Sequence, residues 1–194
     1  MRKFLTLAVL LPALALSACS DTPEEKAAKE ADALVAQTAA DAALRVCAPQ
    51  KVLTDISSYS NDVADTSLNQ TEWFEANGKR EGVVTTASGL QYSVNKSGNA
   101  EGPTPVPTQT VRVHYHGQFL GGEKFDSSYD RGEDIDFPLN GVIKGWTEGV
   151  GLMRPCDAWT FYIPSDLAYG PSGRGSIPPA TPLMFHVQLI EITD

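Results

Sequence analysis

Between Val83 and Ile192 the chain is written almost entirely in strand periodicity, and only Val142 to Met153 has helical spacing. Leu90, Tyr92 and Val94 alternate with polar neighbours. So do Val111, Val113 and Tyr115 against Arg112, His114 and His116. A period of two puts one set of side chains on a buried face and the other on an open face. Ala158 to Ile163 and Leu183 to Ile192 read as further strands, and Gly121-Gly122 marks a turn before Phe125. In the helical stretch Val142, Ile143, Trp146 and Val150 share one face. Gly145, Gly149 and Gly151 are poor helix formers, so their use predicts a short helix packed closely on a sheet. The expected class is α+β: an antiparallel sheet wrapped around one short helix, with an N-terminal helical stalk.

The chain divides into three parts. Residues 1–18 read as a lipoprotein signal peptide. Arg2 and Lys3 precede an apolar run to Leu16, too short for a membrane span. The run ends in Leu16-Ser17-Ala18-Cys19, which resembles the lipobox where cleavage precedes an acylated cysteine. Lipidation at Cys19 would tether the protein to a membrane in the cell envelope. Ser20 after the cysteine favours the outer membrane, facing the periplasm.

Residues 19–79 read as a helical stalk or linker. Thr22 and Glu25 form a capping box with Pro23 at the first helical position, and an Ala-rich run follows to Val46. Ser57 to Thr66 is a polar linker. Ser67 and Gln70 form a second capping box, opening a short helix with Trp73 and Phe74 that stops at Asn77-Gly78. The stalk serves as a dimerisation arm or as a spacer, and its thin Ala-rich stripe favours the spacer.

Residues 80–194 carry the chemistry. With 15 basic against 24 acidic residues, the net charge of −9 gives no patch for phosphates, so a nucleic-acid partner is excluded. No P-loop, zinc-protease helix, CxxC pair or Gly-x-Ser-x-Gly elbow is present. His114 and His116 share a strand face. Two ligands alone make a poor metal site, so an exposed strand face is the expectation, with no metal and no cofactor. Cys47 and Cys156 remain after the lipobox. They permit one disulfide or stand as two buried thiols. Beside a run of aromatics, Asp126 with Arg131 reads as an oriented, partly buried carboxylate. An apolar bowl with one carboxylate, and almost no acid, base or nucleophile, suits a reaction that breaks no bond.

Six motifs recur in order: Val-His-Tyr-His-Gly (113–117), Lys-Phe-Asp-Ser-Ser (124–128), Val-Ile-Lys-Gly-Trp (142–146), Leu-Ala-Tyr-Gly (167–170), Ile-Pro-Pro (177–179) and Leu-Met-Phe (183–185). On these, residues 80–194 resemble an FKBP-type peptidyl-prolyl cis-trans isomerase domain. The lead-in from Glu81 to Tyr92 is similar to the exported bacterial subgroup of macrophage infectivity potentiator type. The resemblance implies a catalytic pocket of Tyr115, Phe125, Asp126, Trp146, Tyr169 and Phe185. Val142, Ile143 and Ile177 would bind substrate, and Arg131 would hold the carboxylate. It implies proline-containing polypeptides as partners, assisted folding of exported proteins, a homodimer through the arm, and macrolide inhibitors as ligands. Three positions depart from the family pattern. Leu167 stands where an aromatic is frequent, Arg174 enters a slightly short loop before Ile177, and Cys156 occupies a turn position that is usually Gly. The same bowl without turnover would make a holdase-like binding module.

Overall fold

The computed structural model describes residues 22–57 and 67–193. The leader, the lipobox Cys19 and most of the Ser57–Thr66 linker lie outside the described residues. Two compact units are present, divided between Thr38 and Ala39.

Helix α1 spans Pro23–Leu44. Its start is the expected capping box: the Glu25 N–H donates to Thr22 Oγ1 (3.2 Å), and the Thr22 N–H donates to the Glu25 carboxylate (2.8 Å). No residue of α1 is buried. Leu34 and Val35 are 68% and 69% exposed, as a thin stripe leaves them.

The second unit holds an antiparallel sheet. Its strands are β1 (Val83–Thr85), β2 (Gln91–Lys96), β3 (Thr110–Phe119), β4 (Lys124–Ser127), β5 (Ile135–Pro138), β6 (Ala158–Ile163) and β7 (Leu183–Thr193). The order is β1-β2-β6-β7-β3-β4, and β5 pairs with the free stretch of β3 beyond β4. The β3–β7 pair is the spine, in register from Thr110↔Thr193 to Phe119↔Leu183 with one bulge after Arg112. Its inner face buries Val111, Val113, Tyr115, Phe185, Val187 and Leu189. The strand periodicity of the sequence therefore carries directly into the core.

Across that inner face lies helix α4 (Lys144–Val150), shorter than the helical spacing predicts. Val142 and Ile143 precede it in extended conformation, after a 3-10 turn at Leu139–Gly141. The glycines explain both findings. They weaken the helix, and they let it approach the sheet. A Cβ on Gly145 would stand 2.6 Å from Ile163 Cγ2, and one on Gly149 would stand 2.6 Å from Phe161 Cε1.

The outer face of the sheet is covered by segments that precede residue 80. Helix α2 (Gln70–Asn77) buries Trp73 against Tyr162 and Met184. Its cap is Asn69 with Glu72, not Ser67 with Gln70. The Glu72 N–H donates to Asn69 Oδ1 (3.0 Å), and the Asn69 N–H donates to the Glu72 carboxylate (3.1 Å). A carboxylate accepts more strongly than an amide. Gln70 instead accepts from the Ser165 N–H at 3.0 Å, tying α2 to the loop after β6.

Residues 45–53 form a strap along β7. The Cys47 N–H donates to Ile190 O, the Ile192 N–H to Arg45 O, and the Leu53 N–H to Gln188 Oε1. Cys47 and Cys156 form a disulfide with Cα atoms 4.8 Å apart, both buried with Ile190. Cys156 has φ +73°, the left-handed backbone that glycine tolerates best. The bond to Cys47 holds the Cys156 side chain in place at that position.

The histidines do not form an open face. His114 and His116 are half-buried. His114 stacks on Tyr129 at 4.7 Å and hydrogen-bonds Ser128 Oγ at 2.9 Å. His186 is buried, with Nδ1 2.8 Å from Thr160 Oγ1.

Candidate active site

Between α4, the inner face of β3 and the loop before β7 opens a cavity of about 640 Å³. Trp146 closes its inner end and is itself buried. Three rings stand edge-on to the indole: Phe185 at 5.2 Å and 84°, Tyr115 at 5.4 Å and 83°, and Phe137 at 5.6 Å and 80°. Phe125 stands edge-on to Phe185 at 5.4 Å. Edge-to-face contacts of this kind favour one arrangement of the rings over a collapsed stack.

Each wall has a local cause. Tyr115 and Phe185 sit on the paired central strands. Gly117 lies opposite Phe185 in the register. A Cβ on Gly117 would meet the Phe125 ring at 2.7 Å and the Phe185 ring at 2.8 Å. The absent side chain makes the space in which those two rings meet. The Tyr115 N–H donates to Ser128 Oγ at 2.8 Å, fixing β3 to helix α3 (Ser128–Arg131).

The polar corner is a triangle. The Tyr115 hydroxyl donates to Asp126 Oδ2. Arg131 donates to Asp126 Oδ1 at 2.5 Å and to the Tyr115 hydroxyl at 3.0 Å. Burial alone would raise the Asp126 pKa. The Tyr115 hydroxyl, the Arg131 hydrogen bond and charge, and the Ser127 N–H outweigh it and hold the carboxyl below its ordinary value. Burial, then the hydrogen bond to Asp126, push the Tyr115 phenol up, against the pull of Arg131. Near neutral pH the corner holds a carboxylate, a phenol and a guanidinium. None is poised to exchange a proton.

The cavity brings together Tyr115, Phe125, Asp126, Val142, Ile143, Trp146, Tyr169, Ile177 and Phe185. Arg131 is not part of the lining and stands behind Asp126. Cys19 is outside the described residues. Sequence reasoning missed Phe137, which completes the ring around Trp146. Its signal is the short alternation Ile135-Asp136-Phe137, masked by the Pro138 that follows. Arg174, read only as a loop departure, lies on the rim with Gly175 and Ser176.

A sheet folded over one short helix, with an aromatic bowl and a salt-bridged carboxylate at its edge, defines a protein with an aromatic-lined cleft on the sheet's inner face. The family pattern described as FKBP-type peptidyl-prolyl cis-trans isomerase matches residues 102–190. That of the domain amino-terminal to it matches residues 15–94. The FKBP-type isomerase FkpA of Aeromonas hydrophila is 50% identical over 152 residues, 74% of this chain and 56% of that protein. A peptidyl-prolyl isomerase structure from Pseudomonas syringae is 34% identical, covering 64% of this chain and 90% of that one, with TM-score 0.59. The FkpA structure of Escherichia coli is 32% identical, covering 90% of this chain and 74% of that one, with TM-score 0.60. This chain belongs to the FKBP-type peptidyl-prolyl cis-trans isomerase family. It spans between 56% and 58% of the length of the first two curated relatives it matches.

Proposed function

We propose that the chain is a peptidyl-prolyl isomerase that speeds rotation about X–Pro bonds in exported polypeptides and so assists their folding. The single observation that carries this is the convergence of Tyr115, Phe137 and Phe185 edge-on around Trp146.

Amide resonance sets a rotation barrier of ~18–20 kcal/mol. Unaided isomerisation at proline takes tens to hundreds of seconds. The planar amide is more charge-separated than the twisted one, which has lost resonance. An apolar bowl therefore disfavours the ground state relative to the transition state. Trp146 is the floor under the prolyl ring, and Tyr115, Phe125, Phe137 and Phe185 are the walls. Val142, Ile143 and Ile177 complete the lining. The Ile143 N–H and the Tyr169 hydroxyl fix the substrate carbonyls. Asp126, held ionised by Arg131 and Tyr115, orients the substrate electrostatically, as an acceptor for a backbone N–H flanking the proline, without proton transfer. A rate gain of about 10⁴ requires lowering the barrier by roughly 5–6 kcal/mol.

The remainder of the reading rests on the sequence. Acylation of Cys19 tethers the protein to the outer membrane, facing the periplasm. Pairing through the N-terminal arm gives a homodimer, and macrolides compete for the bowl.

A protease-free assay on an X–Pro peptide tests the activity. Acceleration that is lost in Trp146→Ala and reduced in Asp126→Ala supports it. Peptide binding without acceleration replaces it with the holdase reading.

A further inference from the structure

The lining of the bowl carries two charged side chains, Asp126 and Arg174. Asp126 is engaged by Arg131 and Tyr115. Arg174 is exposed at the mouth, its Cζ 6.0 Å from the centre of the Tyr169 ring. Among the described residues no carboxylate pairs with it.

Its backbone is clamped. The Arg174 N–H donates to Ile177 O and the Ile177 N–H to Arg174 O, both at 2.9 Å. Gly173 beside it has φ +66°, and a Cβ there would come within 2.3 Å of Ile177 O. Across the base of the loop the Ala180 N–H donates to Gly170 O at 2.9 Å. The loop thus fixes the backbone from which a cation without a carboxylate partner reaches the mouth, on a protein of net charge −9. It stands over the tyrosine that the proposed function assigns to a substrate carbonyl.

We propose that Arg174 is a specificity-determining residue: it selects polypeptides that carry a carboxylate side chain immediately before or after the proline. This rests on the isomerase reading above. A surface cation and carboxylate attract weakly and are screened by salt. The preference for Glu over Gln at the responsive position is therefore about two- to fivefold in kcat/KM at low ionic strength.

The experiment uses matched peptides with Glu, Gln or Lys just before or just after the proline. They are assayed with the wild-type chain and with Arg174→Gln, Arg174→Lys and Arg174→Glu, at low and high salt. The wild-type order is Glu over Gln over Lys at one of the two positions. It flattens in high salt and in Arg174→Gln, persists in Arg174→Lys, and reverses in Arg174→Glu. Equal rates for the three wild-type peptides, or the same order in Arg174→Gln, overturn the assignment and leave the isomerase reading standing. Acceleration of no peptide at all removes both.

Discussion

Asp126 and Tyr115 share a hydrogen bond at the edge of the aromatic bowl, donated by the phenol to a carboxylate that Arg131 also grips. The bond couples the bowl's one engaged charge to one of its walls. The Asp126 carboxyl is held below its ordinary pKa. A lowered pKa means that the folded state binds the proton less readily than the unfolded state. The group therefore stabilises the fold above the ordinary aspartate range, about pH 4. That contribution fades as pH falls through the lowered value. Denaturation of wild type and Asp126→Asn across pH should show the variant less stable at pH 7, with the difference shrinking below about pH 4. A constant gap at all pH values contradicts the assignment.

Gly117→Ala should damage fold and site together. Its methyl would press on the Phe125 and Phe185 rings, so both walls must move. Overpacking of this kind costs about 1–3 kcal/mol. Catalytic efficiency should fall by about tenfold, the equivalent of 1.4 kcal/mol at the barrier. Urea midpoints and kcat/KM measured on the same preparation check both effects.

The Cys47–Cys156 disulfide fastens the strap to the turn before β6, with 109 positions of sequence separation. Reduction, or the paired substitutions Cys47→Ser and Cys156→Ser, should lower stability by about 2–5 kcal/mol. Neither cysteine lines the bowl. The folded fraction should therefore keep its kcat/KM, and thermal melts with and without reductant, paired with activity at 25 °C, would check this.

Trp73→Ala should cost about 3–5 kcal/mol, although residue 73 precedes the isomerase motifs. The indole is buried against Tyr162 and Met184 on the outer face of the sheet. A chain starting at residue 80 should show the same weakness and a lower melting temperature. Equal stability of that shortened chain would show that α2 and the strap contribute nothing to the fold.

The strands were legible because alternation reports burial directly: Val111, Val113 and Tyr115 lie inward as read. The close helix–sheet approach was legible from Gly145 and Gly149. What lay beyond reach was non-local. Asn69 and Glu72 form the cap, with the Glu72 carboxylate, a stronger acceptor than the Gln70 amide, accepting from the Asn69 N–H; Gln70 accepts instead from the Ser165 N–H. Residues 45–53 and 70–77 read as stalk because the residues that bury them are distant in sequence: Gln188, Ile190 and Ile192 for the strap, Tyr162 and Met184 for Trp73. The pairing of Cys47 with Cys156 needed a distance that spacing does not supply. Phe137 was hidden by brevity, as four residues ending in proline give too little alternation to read.

The most direct test of a bowl that eases amide rotation is the exchange rate between cis and trans forms of an Ala-Pro peptide at equilibrium. Magnetization-exchange NMR reads it with catalytic amounts of the chain and with no coupled protease. The expected result is exchange that rises in proportion to the chain added, and returns toward the uncatalysed rate with folded Trp146→Ala. Peptide resonances that shift on binding while the exchange rate stays at its uncatalysed value would contradict it.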